Sequence, residues 1–290
     1  MTPLGLIFPP DQPPERLREA ALAAEAAGLD ELWLWEDCFK ESGVAPAAAA
    51  FAWTSTLRVG IALMPVPLRN VALTAMEIAT LARLFPGRFL PAVGHGVQSW
   101  MGQTSAGVAS PLTLLREQVE ALQSLLHGEQ VSRQGRYVTL AEVALDWPPQ
   151  QVPPLLVGAQ GPRTLALAGE LGDGVVVDVV EHLPRAVTAV RDARARAGRE
   201  GEPDVLVFQP VAVGTSAEEV AELVRSRVAE GARRVAVTVV TARGGPPEPG
   251  PALLDVVPAL GRARQLLART GPSSRTGTAL SCRRAGPGCR

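Results

Sequence analysis

Glu36 and Asp37 stand side by side directly after the apolar run Glu31–Trp35. Two carboxylates in that place are costly to bury unpaired. One of them can accept hydrogen bonds from a ring or a substrate, or donate a proton if burial raises its pKa. His95 lies between Gly94 and Gly96, at the end of the run Arg88–Val93. Flanking glycines let backbone approach a ligand and leave the imidazole unpacked, where it can bind a cofactor or move a proton near neutral pH. The stretch Gly158, Ala159, Gln160, Gly161, Pro162, Arg163 ends another apolar run and leads straight into a helical segment. Pro162 suits a first helical position, and the small residues free backbone N–H groups at a helix N-terminus. That arrangement attracts an anion, most simply a phosphate. Leu63 and Met64 precede Pro65 and Pro67, whose rings stiffen the chain and remove donors. This predicts an apolar shelf for a flat ring, with Arg69 nearby as an anion-binding fork or as an ion-pair partner.

Metal chemistry and covalent hydrolysis find no support. The three histidines are His95, His127 and His182, and neither a CxxC nor an HExxH spacing occurs. A GxSxG elbow is missing too. Residues of this kind, without metal ligands or an activated nucleophile, point to chemistry delegated to an organic cofactor.

The elements that must position these residues alternate along the chain. Runs rich in Val, Ile and Leu recur at 4–8, 31–35, 58–64, 88–93, 155–158, 174–179, 205–213 and 234–240. Unalternating apolar runs suit parallel strands covered on both faces. Ala/Leu/Glu/Arg-rich segments of helical length separate them, at 14–27, 45–54, 72–84, 111–126, 163–171, 183–197, 217–230 and 251–267. Ser216 with Glu219 forms a capping-box pattern at the seventh helix. Eight strand–helix pairs over about 265 residues predict a closed (β/α)8 TIM barrel, an α/β fold whose active sites occupy the C-terminal ends of the strands. An open doubly wound sheet would place a glycine-rich turn after the first strand, where Phe8, Pro9, Pro10 and Asp11 stand instead. Two insertions break the rhythm. The first, 94–110, follows the fourth strand and is a candidate lid. The second, 128–154, follows the fourth helix and contains a possible hairpin around Gly135.

Composition sets the outer limits. The 290 residues are 47% hydrophobic and 20% charged, with a formal net charge of -1. This describes a globular domain and no global basic field for nucleic acid. Three cysteines fit a reducing cytoplasm. No stretch approaches a membrane span, and the N-terminus lacks the basic region of a signal peptide. One domain is expected over 1–270, followed by a basic, Gly/Ser/Pro-rich tail over 271–290 that reads as disordered.

Segments Ala24–Trp33, Arg58–Ile61, Arg69–Asn70, Leu84–Phe89, Val93–Gly96, Val157–Arg163 and Leu171–Gly174, in this order and spacing, resemble the luciferase-like flavin-dependent oxidoreductases. The similarity is greatest to the branch that uses coenzyme F420. The resemblance implies a barrel with F420, or alternatively FMN, across its C-terminal mouth. It implies hydride transfer to or from a small organic substrate. An FMN-dependent monooxygenase using reduced flavin and oxygen, and a non-catalytic flavin-binding barrel, are the alternatives. It further implies a non-proline cis peptide within Ala62–Met64, a homodimer, and a partner reductase supplying reduced flavin or F420. Relatives commonly carry Asp-His after the second strand. Here Glu36 takes the acid position and Asp37 stands where the imidazole would be, leaving His95 as a third proton-transfer candidate.

Overall fold

The computed structural model describes residues 1–241 and 252–269. Eight parallel strands close on themselves: β1 (Leu4–Phe8), β2 (Glu31–Leu34), β3 (Arg58–Pro65), β4 (Phe89–Gly94), β7 (Leu156–Gly158), β8 (Gly174–Val177), β9 (Asp204–Ala212) and β10 (Arg234–Val240). They follow sequence order around the barrel, and β10 pairs with β1 through Leu4 opposite Val235. The strands β5 (Val131–Gln134) and β6 (Thr139–Val143) form a separate antiparallel hairpin within the second insertion.

Both faces of the barrel strands are buried, which is why their sequences do not alternate in polarity. Leu4, Leu6 and Phe8 of β1 face the helical shell, as do Val205 and Val207 of β9. Ile7, Trp33, Leu90, Leu156, Leu206 and Ala236 fill the barrel interior. Trp33 is fully buried there, and a Cβ on Gly60 of the adjacent strand would lie 2.2 Å from its ring. The barrel thus tolerates its largest interior side chain only beside a residue with none.

The outer shell holds α1 (Leu17–Ala26), α2 (Val44–Trp53), α3 (Val71–Leu84), α5 (Pro111–Leu126), α6 (Pro162–Glu170), α7 (Leu183–Arg196), α8 (Ala217–Ala229) and α10 (Val257–Arg269). Ser216 and Glu219 form the anticipated capping box of α8. Gly28, at φ +75°, turns the chain from α1 towards β2 through a left-handed conformation that favours glycine. The first predicted helix opens as a 3-10 turn at Pro14–Arg16. The last is divided, with α9 (Ala252–Asp255) before α10. The first insertion contains an unanticipated helix, α4 (Gln98–Gln103). Six residues including Gly102 are too short for helical periodicity to register. The expected start of the final helix at Pro251 and the expected disordered tail over 271–290 lie outside the described residues. Among the described residues, no helix is long and apolar enough to cross a membrane.

Candidate active site

The C-terminal ends of seven of the eight barrel strands surround a cavity of about 740 Å³. Trp35, Glu36 and Asp37 enter after β2, and Ala62, Leu63 and Pro65 from β3. His95, Gly96, Val97 and Trp100 come from the chain after β4, and Gly158–Gly161 and Thr164 from β7 and the first turn of α6. Val176 and Asp178, Phe208 and Thr238 complete the wall from β8, β9 and β10. This is the end of the barrel at which sites are built, because the βα connections converge there.

One wall is apolar. The rings of Trp35 and Phe208 lie 5.5 Å apart, tilted by 31°. The peptide bond between Ala62 and Leu63 is cis, within the expected tripeptide, and the β3–β4 register shifts between Ile61 and Met64. Leu63 then spreads over two glycines. A Cβ on Gly94 would lie 2.5 Å from its Cδ2, and one on Gly158 would lie 2.2 Å from the same atom. These glycines admit a side chain of the protein, whereas the sequence suggested close approach of a ligand to their backbone. Of the four candidate glycines Gly94, Gly96, Gly158 and Gly161, Gly161 alone is open, with no neighbouring atom within 4 Å of the position a Cβ would take.

The adjacent carboxylates have different surroundings. Glu36 accepts two hydrogen bonds from one Arg69 nitrogen, at 2.7 and 2.8 Å, and a third from the Gly43 N–H at 2.9 Å. Arg69 also pairs with Glu77 at 2.6 Å. Arg69 is thereby a nearly buried ion-pair partner, and its fork is occupied by carboxylates of the chain itself. Asp37 has no such clamp. Burial pushes its pKa up, Lys40 opposes that shift, and Asp11 adds to it. Asp37 therefore holds its proton to higher pH than a free Asp carboxyl does.

His95 points its Nε2 to within 3.2 Å of the Thr164 hydroxyl, in the first turn of α6. Burial lowers its pKa, and the Pro111 carbonyl works in the other direction. The ring is therefore biased to the neutral form at neutral pH. Gly161 is the N-cap of α6 and Pro162 follows at the first helical position, with no side chain capping the helix. Gln160 donates to Asp178 at 2.6 Å, and Arg185 donates to the Gln160 carbonyl at 3.2 Å.

The structure thus brings Glu36, Asp37, Leu63, His95, Gly96, Gly158, Ala159, Gln160 and Gly161 to one cavity. Met64, Gly94, Pro162 and Arg163 are not among its lining residues. Met64 is fully buried in the layer between strands and helices, Gly94 lies beneath Leu63, and Arg163 is exposed. Sequence reasoning missed Trp35, Trp100, Thr164, Asp178, Phe208 and Thr238. Asp178 follows β8 directly, but the apolar run read from the sequence, 174–179, encloses it and so hides it as a strand-end carboxylate.

A closed eight-stranded barrel with a mixed apolar and polar cavity at its C-terminal mouth defines the structural class. Residues 3–282 match the family model described as luciferase-like monooxygenase, and the chain belongs to that family. It is 29% identical over 208 residues to a 5,10-methylenetetrahydromethanopterin reductase of Methanolobus tindarius, covering 70% of this chain and 63% of the relative. It is 34% identical over 178 residues to an F420-dependent glucose-6-phosphate dehydrogenase of Kineococcus radiotolerans, covering 56% and 52%. The chain spans 52–63% of the length of these curated relatives. Among solved structures, an F420-dependent secondary alcohol dehydrogenase in complex with an F420-acetone adduct superposes with a TM-score of 0.79 at 18% identity, covering 91% of this chain and 99% of that one. A monooxygenase from Streptomyces bottropensis gives 0.78 at 16%, covering 93% and 100%. At these identities the structural likeness establishes the fold.

Proposed function

We propose that this chain is an oxidoreductase that binds coenzyme F420 at the barrel mouth and transfers a hydride to or from a small organic substrate. The observation that carries the reading is the pairing of an apolar wall with Asp37, a half-buried carboxyl without an arginine clamp, in one cavity. Its volume falls within the ordinary range for small-molecule sites. The residues present fit a flat, phosphorylated ring. Leu63, Trp35 and Phe208 offer apolar surface, and Gly161 leaves open space before the uncapped first turn of α6. The Trp35 Nε1 atom is buried with no hydrogen-bond partner among the described residues, so a donor is available to an acceptor on a ligand.

When bound, the cofactor supplies the hydride donor or acceptor. The chain's own residues orient, shield and exchange protons. Asp37 gives a proton to, or takes one from, the substrate oxygen. His95, steadied by Thr164, is a second proton partner in its neutral form. Glu36 is clamped by Arg69 and the Gly43 N–H and shapes the exit of β2. Trp100 and Val97 narrow the opening and keep water from the reacting face.

A second reading is an FMN-dependent monooxygenase, favoured by the match to the monooxygenase fold across nearly the whole chain. A partner reductase or dehydrogenase renews the reduced cofactor where the substrate accepts the hydride and in the monooxygenase reading. A substrate that donates the hydride instead leaves a reduced cofactor for a partner to reoxidise. A homodimer is also proposed, supported by Leu73, Met76 and Leu84, which lie exposed along one face of α3. A test of function begins with the absorption spectrum and mass of any chromophore that co-purifies. Titration with F420 and with FMN follows. Saturable F420 binding and substrate-dependent bleaching are expected, whereas tight binding of FMN alone favours the second reading. Failure of both to bind at the cavity overturns both readings.

A further inference from the structure

We infer that Tyr137, on the hairpin outside the barrel, is a positioning residue for the cavity wall that carries His95 and Trp100. The inference rests on reading this cavity as the active site, and it begins at α5. Glu117 of α5 is only 7% exposed. Its carboxylate accepts the N–H groups of Arg136 and Tyr137, both at 2.8 Å, and of Val138 at 2.9 Å. Burial alone would push the Glu117 pKa up, but these backbone donors outweigh it and hold the carboxyl below its usual range. A Cβ on Gly135 would lie 2.6 Å from the same carboxylate, so the connection between β5 and β6 seats closely on the helix.

Seated there, Tyr137 reaches the end of the first insertion. Its hydroxyl accepts the Ser110 N–H at 2.9 Å. Ser110 is the N-cap residue of α5, and its own hydroxyl lies 2.8 Å from that of Thr113 without capping the helix. The next residue, Pro111, lies near enough to His95 for its backbone to oppose the effect of burial on the imidazole, although the buried His95 Nδ1 has no hydrogen-bond partner among the described residues. His95 in turn meets Thr164 across the cavity. At the other end of the segment, Met101 is fully buried. A Cβ on Gly96 would lie 2.9 Å from Pro65 Cβ and 3.2 Å from the terminal methyl of Met101. The stretch bearing Val97 and Trp100 is thus fixed by packing at its start and by Tyr137 at its end. Barrel closure does not require this hairpin, whose strands pair only with each other.

Tyr137 is the only tyrosine of the chain, and Tyr137→Phe keeps the ring packed while removing one acceptor. Hydrogen exchange on the full chain without added cofactor reads the effect directly. The Ser110 amide and the peptides over 95–110 exchange about five- to tenfold faster in the variant, as loss of one hydrogen bond predicts. The barrel strands remain at their wild-type rates. In an NMR titration the His95 imidazole moves upward, because relief of burial, the larger influence, outweighs any loss of the opposing Pro111 contribution. Gly135→Ala disturbs the seat on Glu117 independently and gives the same local pattern. Unchanged exchange at 95–110 in Tyr137→Phe overturns the inference, as does acceleration spread evenly over the barrel. These readouts need no bound cofactor. If wild-type protein binds neither F420 nor FMN, the functional reading fails while the positioning result stands or falls by itself. If one binds, Tyr137→Phe raises the substrate KM several-fold with a smaller change in kcat.

Discussion

Asp37 is the residue on which the proposed chemistry turns, and its neighbour Glu36 shows why adjacent like residues take different parts. Glu36 faces a guanidinium and a backbone N–H, so its charge is matched. Asp37 is half-buried with its charge less well compensated, and its pKa rises. In the proton-donating direction, activity is present at low pH and is lost as pH rises through that raised pKa. Asp37→Asn should lower kcat by about 10²-fold and remove this pH limb, with cofactor affinity nearly unchanged. Retention of wild-type turnover would remove Asp37 from the chemistry. Glu41 supplies a second pH test, on stability. Burial, followed by repulsion from Glu15, pushes its pKa from 4.5 up to about 7. The folded state therefore binds more protons than the unfolded one in that interval, and stability falls as pH rises from about 4.5 through about 7. Glu41→Gln removes this loss. After allowance for solvent screening of a half-exposed group, the gain at pH 8 is on the order of 1 kcal/mol, or about 2–4 °C in Tm. Thermal melts of both proteins at pH 5 and pH 8 check it, and an equal difference at the two pH values would contradict it. At this scale the sequence exposes Asp37 and His95, since each follows an apolar strand. The clamp on Glu36 is hidden because Arg69 lies 33 residues away, beyond the next strand.

Between residues and molecule stands the packing of strand ends, where β3, β4 and β7 meet beneath Leu63. Gly94 and Gly158 are small because Leu63 occupies the space that their side chains would need. Gly158→Ala would set a methyl 2.2 Å from Leu63 Cδ2 and drive the leucine towards the cavity. Overpacking of this kind costs about 1–3 kcal/mol. The expected outcome is at least tenfold weaker binding of the cofactor in a titration, with a lowered Tm. Leu63→Ala introduced with Gly158→Ala should recover most of the lost stability. If the single variant binds as wild type does, Leu63 is not a wall against which the ring rests. Strand positions were readable from runs of β-branched and aliphatic residues, and the placement of Leu63 and Gly158 in the site followed from their strand ends. The reason for the glycines was not readable, because a glycine beside a ligand and a glycine beside a leucine look alike in sequence. The same limit applies to Phe208 and Thr238. They stand among strand residues whose inward or outward direction emerges only when the barrel closes.

For the whole molecule, closure depends on joining the last strand to the first two, far from the chemistry. At the N-terminal end of the barrel, Glu31 of β2 is fully buried and pairs with Arg58 of β3 at 2.9 Å and with Arg234 of β10. Trp33 Nε1 donates to its other oxygen at 2.9 Å, and Arg234 also reaches Asp204 of β9 at 2.7 Å. Arg234 thus spans β1, whose Gly5 lies in register with Glu31 on one side and Ala236 on the other. The eight-unit rhythm of the sequence was enough to anticipate a barrel, but not this tie across 203 residues of chain, which only tertiary structure brings together. Arg234→Met removes the shared cation and leaves Glu31 buried with Arg58 as its remaining ionic partner. Breaking one side of such a buried network typically costs about 3–5 kcal/mol. Because conservation of function in barrels resides at the opposite face, the cavity should be spared. The expected result is a denaturation midpoint moved well below wild type, while cofactor affinity and turnover measured under folding conditions stay within about twofold. A variant with an unchanged midpoint would show that the β10–β1–β2 seam is secured by backbone pairing and apolar packing alone.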